Sequence, residues 1–389
     1  MKNLVLRIIL ASFVVLLALL TISVSHAQAQ TFTVLYSFKG YPDSANPEAG
    51  LFRDNKGNLY GTTSSGGSFN WGSVFTLDTA GNEIVLYNFP GSASDGSIPV
   101  AAVVMDKAGN LYGTTEAGGD NADESGDGTV FKLDTLGNFT TLHQFGPPDG
   151  RYATSTLLID KRGNLYGTTV QGGANELGTV FKVDMLGKET VLHSFSGADG
   201  SYPIRSHLIM DKEGNLYGTT WAGGSGGQGT VFKLDIAGRL TVLHSFTGLD
   251  GAMPFGGVVM DKKGNLYGTT TGGGSAGAGT VFKLDSAGTE SVLHSFSGSP
   301  DDGTYPADGL VIDKQGSLYG TTLYGGSLNF GVVFKVDTLG NETILHSFAD
   351  APDGNYPLAG LVLDKRGNLY GTTENGGNYN YGTVFELVP

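Results

Sequence analysis

A five-residue sequence, Leu-Tyr-Gly-Thr-Thr, occurs seven times along this chain and constrains the fold more than any other feature. Its tyrosines are Tyr60, Tyr112, Tyr166, Tyr217, Tyr267, Tyr319 and Tyr370, at spacings of 50 to 54 residues. A period of about 50 residues with strand patterns and no helical pattern is typical of blade repeats. A residue present in every copy is expected to serve the fold. Candidates for a unique site are therefore the residues that break the pattern.

The first 29 residues lie outside the repeat. Lys2 and Arg7 precede an apolar run from Ile8 to Val24, and Ala27-Gln28-Ala29 follows as a small-x-small site. This pattern predicts a secretory signal peptide over residues 1–29, and an uncleaved membrane anchor is the alternative. We therefore expect an exported protein, extracellular or periplasmic, with no stable membrane insertion once the signal is removed.

Composition excludes several classes of protein. The chain has no cysteine, so no disulfide framework holds it together after export. Its 37 acidic and 23 basic residues give a net charge of −14, which repels phosphate backbones and argues against nucleic-acid binding. We expect a monomer without a cofactor.

Each repeat predicts four strands, which we call a, b, c and d. In the third copy these are residues 157–160, 164–169, 178–184 and 190–195, where apolar and polar residues alternate or a short apolar run indicates a fully buried inner strand. Asp-x-x-Gly sequences, such as Asp160 to Gly163, predict tight turns between a and b and between c and d. The b–c connection is a longer glycine-rich loop.

The two ends of the chain predict how the copies are arranged. Residues 33–38 have the pattern of strand d with no preceding a, b or c, and residues 382–387 that of strand c with no following d. If the first strand completes the last blade, the ring closes with no bare edge left over. The sequence thus predicts an all-β, seven-bladed β-propeller with four antiparallel strands per blade, as a single domain over residues 30–389.

These motifs resemble the GloVer tandem repeat family of exported bacterial proteins. The resemblance rests on Leu-Tyr-Gly-Thr-Thr and on the Gly-Thr-Val-Phe core of strand c, with Ser73 and Val332 replacing the threonine in two copies, and it covers residues 31–389. Family members differ in their C-terminal anchor or sorting segments, and this chain departs from them by stopping at Pro389 within the last blade, which leaves surface attachment open. The resemblance implies fold and compartment but no mechanism.

Two sets of repeated residues have the chemistry of metal ligands. Histidines recur at one place in strand d (His143, His193, His244, His294 and His346), and aspartates recur in the joint between strand d and the next strand a (Asp43, Asp95, Asp149, Asp199, Asp250, Asp302 and Asp353). The histidines are spread around the rim, too far apart to share one ion, and no second carboxylate recurs beside each aspartate in the sequence. We interpret both sets as structural and expect no metal.

The b–c loops of copies six, seven and one break the repeat. Just before their last glycine these loops read Asn-aromatic-Gly, where copies three to five have small or nondescript residues, and the residues concerned are Phe69, Asn70, Trp71, Tyr324, Asn329, Phe330, Tyr379, Asn380 and Tyr381. The b–c and d–a loops emerge on the same face of a propeller, which we call the loop face. Because blades six, seven and one are neighbours in a closed ring, we expect these residues to line one arc of the loop face. Aromatic faces with amide donors suit a glycan or an extended peptide. The alternative is that the rings cover joints between blades.

Two further departures are candidate sites. The b–c loop of copy two is longer and carries Asp120, Asp123, Glu124 and Asp127, which indicates a solvated acidic bulge or a Ca²⁺ loop. Copy four has His207 where the other copies have Gly, Ala or Thr, with Arg205 two residues earlier, and we expect both to point toward the channel. Asp308 and Glu48 are expected at comparable heights along the channel axis. The four side chains could then act in acid–base catalysis, or they could form charged pairs that fill the channel mouth.

The sequence therefore favours a binding or interaction module with its ligand on blades six, seven and one. A purely structural surface repeat protein is the first alternative, and a lyase or hydrolase that uses His207, Arg205 and Asp308 is the second.

Overall fold

The protein is an all-β, seven-bladed propeller. The computed structural model describes residues 30–92, 94–119 and 126–389, so the predicted signal peptide lies outside the described residues. Seven four-stranded antiparallel sheets are arranged as blades, which confirms the predicted fold class. Within these residues no helix is long and apolar enough to span a bilayer.

The strands follow the predicted order, with strand a nearest the axis and strand d at the rim. Strands a, in blades one to seven, are Phe52–Arg53, Val104–Met105, Leu158–Ile159, Ile209–Met210, Val259–Met260, Val311–Ile312 and Val362–Leu363. Strands b are Leu59–Thr63, Leu111–Thr115, Leu165–Thr169, Leu216–Thr220, Leu266–Thr270, Leu318–Thr322 and Leu369–Thr373. Strands c are Ser73–Leu77, Thr129–Leu133, Thr179–Val183, Thr230–Leu234, Thr280–Leu284, Val332–Val336 and Thr383–Val388. Strands d are Glu83–Asn88, Phe139–Gln144, Glu189–Ser194, Leu240–Ser245, Glu290–Ser295, Glu342–Ser347 and Thr31–Ser37. Two short pairs join loops: Ser44–Ala45 with Ser65–Gly66, and Gly303–Thr304 with Tyr324–Gly325.

The ring closes as the chain ends predict. The strand Thr31–Ser37 pairs antiparallel with Thr383–Val388, from Thr31 opposite Val388 to Ser37 opposite Thr383. The first strand of the chain is therefore strand d of blade seven, and the outer edge of the last strand c is covered.

Strands a and d differ in detail from their sequence pattern. Strand a contributes only two ladder residues per blade, and these are half-buried, so the prediction of a fully buried inner strand is wrong. In strand d the ladder skips one residue, as at Leu192 between the partners of Val180 and Phe181. The same bulge recurs in every blade and increases the local twist of the outer strand.

The repeated pentapeptide is explained by contacts that recur in all seven blades, except that the last of them, a pair of hydroxyls, is absent from blade six because Val332 stands there. In blade three the Tyr166 hydroxyl donates to Asp160 in the a–b turn, and a Cβ added to Gly167 would lie 2.6 Å from the ring of Phe181, its partner on strand c. The Thr168 hydroxyl donates to the Pro203 carbonyl of the next blade. Thr169 pairs with the hydroxyl of Thr179. Each repeated residue therefore serves the fold.

The core lies between blades rather than within them. Among the described residues there are seven clusters of buried apolar residues, each shared by two neighbouring blades. At every joint the phenylalanine that follows strand d packs edge-on against the strand c phenylalanine of the next blade, as Phe195 does with Phe232 at 5.3 Å between ring centroids. The closing joint uses the same contact, Phe38 with Phe75. Closure therefore gives every blade two packed neighbours.

Candidate functional site

The loop face is organised by one residue per joint that has a left-handed backbone. These residues are Asn46, Ile98, Tyr152, Tyr202, Met253, Tyr305 and Tyr356, with φ between 54° and 62°. Each donates its N–H to the b–c loop of one blade and accepts an N–H just after strand b of the next, as Tyr356 does with Phe330 and Glu374. Their half-buried side chains, four of them tyrosines, face the same side as the predicted aromatic arc. This ring was not predicted from the sequence, although the residue lies just before a proline in six copies.

The aromatic residues predicted to form an arc are exposed on this face. Phe69, Trp71, Tyr324, Tyr379 and Tyr381 are between 39% and 56% exposed, and Phe330 is half-buried. The equivalent b–c loops of blades three to five carry a half-buried leucine, a glutamine and an alanine at the place of Trp71. The exposed rings are therefore a local feature of blades six, seven and one.

The arc residues also contact the blade joints. The Trp71 ring lies over Gly91 and the Tyr381 ring over Gly40, so a Cβ at either glycine would collide with the ring. On blade six, Tyr324 and Phe330 both contact Tyr356, at 5.6 and 5.9 Å between centroids. One side of these rings is thus fixed by packing, which leaves the other side in solvent and holds each ring in a defined orientation.

The three asparagines have a structural role that sequence analysis did not foresee. Asn70, Asn329 and Asn380 have φ of 61° to 62°, where blades four and five use Gly227 and Gly277. Each side-chain oxygen accepts the N–H of the residue four positions earlier, a glycine in each loop. A left-handed position favours Gly or Asn, which accounts for the choice of Asn. The amide oxygens are therefore engaged within the loop.

Two charged pairs cross the central channel, as the positions of their residues predict. Arg205 on blade four reaches blade one on the far side, where its guanidinium donates to the Glu48 carboxylate at 2.8 Å and to the Glu48 carbonyl at 2.7 Å. Blade four has one extra residue before strand a, and Arg205 there has a φ of 48°. The side chain of Arg205 is 8% exposed and that of Glu48 is 24% exposed, so the guanidinium is buried and the carboxylate is partly open to solvent.

The second pair lies where neighbouring backbones approach closely. His207 Nε2 is 2.5 Å from the Asp308 carboxylate of blade six, which also accepts the N–H groups of Gly309 and Gly360. Burial alone lowers the pKa of His207, but the adjacent carboxylate outweighs it and the pKa is raised. Burial raises the pKa of Asp308, and the imidazolium brings the net shift below the ordinary value. The two groups therefore form an ion pair.

Further acidic side chains surround Arg205 at the mouth of the channel. Glu116 and Glu374 follow strand b of blades two and seven, and burial and then repulsion from Glu48 raise the pKa of both carboxyls. Arg205 opposes these shifts. The channel mouth on the loop face is thus acidic around one arginine, and His207 and Asp308 occupy space that small residues leave elsewhere.

The rim of the propeller holds a pairing that sequence analysis did not recognise. Each strand d histidine, and Tyr36 or Tyr87 at the same place, bonds to the aspartate of the following joint: Tyr36–Asp43, Tyr87–Asp95, His143–Asp149, His193–Asp199, His244–Asp250, His294–Asp302 and His346–Asp353. Most of these aspartates also accept a backbone N–H of the turn, as Asp199 does from Ser196. The predicted turn role is thus confirmed there, and the two repeated positions work as one unit.

The premise that no second carboxylate recurs beside these aspartates is wrong. The first residue of the next blade's strand d is a glutamate at four joints, and three of these complete a His–Asp–Glu group: His143, Asp149 and Glu189; His244, Asp250 and Glu290; His294, Asp302 and Glu342. Burial, then repulsion from the aspartate, raises the pKa of each glutamate to about 7. The His–Asp–Glu group is not apparent in the sequence because the glutamate lies some 40 residues after the aspartate.

The acidic loop of copy two is described only in part. Asp120, Asp123 and Glu124 lie outside the described residues. Asp127 is 2% exposed and forms an ion pair with Arg151, so it does not belong to a solvated bulge. Its place in the loop corresponds to that of Trp71 in blade one.

Clefts occur at the rim of blade seven and on the face opposite the loops. Tyr379 borders a cleft of about 670 Å³ that runs along Thr31–Ser37 and reaches Asp353. Clefts of about 710, 590 and 610 Å³ lie between the a–b turns of blades five, six, seven and one. The arc therefore borders a concave surface at Tyr379.

The chain belongs to the Gloeobacter/Verrucomicrobia repeat family, whose sequence profile matches residues 21–211 and 204–389. This confirms the resemblance drawn from the repeat motifs. No curated protein matches the sequence.

Several solved structures share the fold at low identity. Virginiamycin B lyase from Staphylococcus aureus is 10% identical, with 92% of this chain and 99% of that chain covered and a TM-score of 0.63. An extracellular domain of BT3049 from B. thetaiotaomicron is 17% identical over 92% of this chain, with a TM-score of 0.59, and one of BT4673 from the same organism is 16% identical over 92%, with a TM-score of 0.57. This chain spans 41% of each of those two chains. At this identity the likeness shows the fold alone.

Proposed function

We propose that this protein is an exported binding module that holds a glycan or an extended peptide on the loop face of blades six, seven and one. The observation that carries the proposal is the set of exposed rings Phe69, Trp71, Tyr324, Tyr379 and Tyr381, which the loops of blades three to five lack. Flat, exposed aromatic faces bind sugar rings and extended chains by apolar contact.

Preorganisation supports this role. The rings of Trp71 and Tyr381 each pack on a glycine of the adjoining joint, so their orientation does not have to be fixed when a ligand arrives. Binding therefore costs less side-chain entropy than it would for free surface aromatics. The positive-φ asparagines hold the three loops in one conformation.

Export is part of the proposal. Residues 1–29 have the pattern of a secretory signal peptide, and two proteins with a similar fold are extracellular domains. The compartment in turn favours glycans and peptides of the cell exterior as ligands.

A glycan and peptide array tests the proposal. The wild-type chain is expected to retain a defined group of ligands, and a Trp71→Ala/Phe330→Ala/Tyr381→Ala variant with an unchanged circular dichroism spectrum is expected to lose them. Leu177→Ala, at the same loop place in blade three, is the matched control and is expected to bind as the wild type does. Equal binding by the triple variant would reject the arc as the site.

Acid–base catalysis in the channel is a second candidate. The favourable observation is the contact between His207 and the buried Asp308 carboxylate, with the imidazole side chain 31% exposed. The other ring nitrogen, Nδ1, is buried and has no hydrogen-bond partner. This favours a His207 that fills space in the channel over a His207 that acts as a general base. Turnover of a lactone or glycan substrate that is lost in His207→Ala would support catalysis; identical turnover in the variant would exclude it.

A further inference from the structure

The seven blade joints form a natural series at the rim. Every joint has a histidine or tyrosine bonded to an aspartate, and the first residue of the next blade's strand d lies against this pair. That residue is Glu at three His–Asp joints and Leu240 at a fourth, and at the fifth its equivalent in register is Phe32, the second residue of Thr31–Ser37; at the two Tyr–Asp joints it is Glu83 or Phe139. The joints therefore differ in which donor atoms meet.

At three joints the donors match those of a metal site. One histidine nitrogen and two carboxylate oxygens lie within 4.8 Å of one another, contributed by two blades. The histidine nitrogen and aspartate oxygen are 2.9, 2.9 and 3.3 Å apart at the joints before blades three, five and six. Ligands bound at 2.0–2.2 Å are separated by about 2.8–3.1 Å in octahedral geometry and by about 3.3–3.6 Å in tetrahedral geometry, so these pairs already have nearly the required spacing.

An independent observation distinguishes the same three joints. One carboxylate oxygen, Oε1, is buried without a hydrogen-bond partner in Glu189, Glu290 and Glu342. A buried carboxylate oxygen without a partner is costly, and a cation at the centre of the group would satisfy it. Glu83 has no histidine beside it, and it accepts a hydrogen bond from Ser44 instead.

We propose that these three joints each bind a divalent cation of the Zn²⁺ class through one histidine, one aspartate and one glutamate. The mixed nitrogen and oxygen donors favour Zn²⁺ over Ca²⁺ or Mg²⁺, which prefer oxygen alone. On binding, the histidine coordinates through Nε2 and carries its proton on Nδ1, and water completes the coordination. Because the ligands come from two blades, each ion joins neighbouring blades at the rim.

Metal counting on the full chain tests this proposal. After removal of metal with a chelator, the wild-type protein is expected to bind about three Zn²⁺ per chain in equilibrium dialysis. Glu189→Leu, Glu290→Leu and Glu342→Leu, which copy the natural Leu240, are each expected to remove one ion, and the triple variant to bind none.

Two further variants sharpen the result. Glu83→Leu changes the glutamate beside Tyr36 and Asp43 and is expected to leave the Zn²⁺ count unchanged. Leu240→Glu places a carboxylate beside His193 and Asp199 and is expected to raise the count by one. Circular dichroism checks that each variant is folded. No Zn²⁺ uptake at micromolar concentration by the wild type, or the same uptake by the triple variant, would overturn the proposal.

Discussion

The glycine of each Leu-Tyr-Gly-Thr-Thr repeat is required by the phenylalanine on the adjacent strand. In all seven blades a Cβ at this glycine would lie 2.5 to 2.8 Å from the ring of its cross-strand partner. Two motifs that look independent in the sequence, this pentapeptide and Gly-Thr-Val-Phe, are therefore one packing unit.

Replacing one of these glycines is expected to overpack a joint. We predict that Gly167→Ala lowers the free energy of unfolding by about 1–3 kcal/mol, because Phe181 and Leu157 must shift to admit the methyl group. Urea denaturation measures the change. Gly50→Ala is the matched control, since this position lies in ordinary contact distance of its neighbours and blade two already has Ala102 there. An equal loss in both variants would contradict the explanation.

The pH dependence of stability follows from the glutamates at the blade joints. Burial, and then repulsion from Asp43, raises the pKa of Glu83 from 4.5 to about 7 in the folded protein. Below about pH 4.5 such a carboxyl is protonated in both the folded and the unfolded state and does not change the free energy of unfolding. Above about pH 7 it is ionised in both states, and its destabilisation of the folded state is largest. The unfolding free energy is therefore expected to fall as the pH rises between these values.

Glu83→Gln isolates this contribution. In metal-free protein we expect the variant to lose less stability between pH 4.5 and 7 than the wild type, because the amide does not ionise. Urea melts across this range, with a chelator present, provide the measurement. Glu213→Gln, in an exposed a–b turn, is the matched control. Parallel stability curves for the wild type and Glu83→Gln would show that the carboxyl ionises freely.

At the scale of the strand, the first threonine of the pentapeptide joins each blade to the next. Its hydroxyl donates to a carbonyl that lies three residues, or six at Pro203, before the next strand a. This bond recurs at all seven joints: Thr62–Ala101, Thr114–Ser155, Thr168–Pro203, Thr219–Gly256, Thr269–Asp308, Thr321–Ala359 and Thr372–Ala49. The last of these crosses the closure. Strand b is therefore the element that fixes the spacing between blades.

Removing one such bond is expected to weaken a joint. We predict that Thr168→Val costs about 1–3 kcal/mol, since the buried carbonyl of Pro203 loses its donor. Thr190→Val, on the exposed face of strand d, is expected to change stability by no more than about 0.5 kcal/mol. Thermal and urea unfolding of the two variants give the comparison, and a neutral Thr168→Val would show that the bond contributes nothing.

The strands and turns were predictable from the sequence because each copy repeats the same alternation and the same Asp-x-x-Gly turns. The bulge at Leu192 was not predicted, although the adjacent apolar residues Val191 and Leu192 interrupt the alternation of strand d there. The His–Asp–Glu groups at the rim could not be predicted from the sequence either, because His143, Asp149 and Glu189 come together only when two neighbouring blades pack against each other. A charged group at the channel was predicted because His207 stands where the other copies have Gly, Ala or Thr, but its division into the pairs Arg205–Glu48 and His207–Asp308 was not.

At the scale of the whole molecule, closure makes blades six, seven and one neighbours. Asn46 shows this directly: its N–H bonds to Tyr381 of blade seven, and its carbonyl accepts from Ser64 of blade one. The aromatic arc and the covered edge of the last blade both depend on Thr31–Ser37 pairing with Thr383–Val388.

A variant that lacks residues 31–37 is therefore expected to aggregate. It would expose the edge of the last strand c and uncover Phe385, an unpaired apolar edge of the kind that associates between chains. Size-exclusion chromatography measures the outcome, and a synthetic peptide of residues 31–38 added during refolding is expected to restore the monomer. A monomeric, folded truncation would contradict the closure mechanism.

The central claim is that ligand binds on the aromatic arc, and Trp71 offers the most direct measurement. The chain has only two tryptophans, so Trp221→Phe leaves Trp71 as the sole tryptophan reporter, half-exposed on the loop face. Titration with the strongest ligand from the array is predicted to shift the Trp71 emission to shorter wavelength in a saturable way, with loss of binding in Tyr381→Ala. Saturable binding of that ligand with no change in Trp71 emission, and with the same affinity in Tyr381→Ala, would contradict the account.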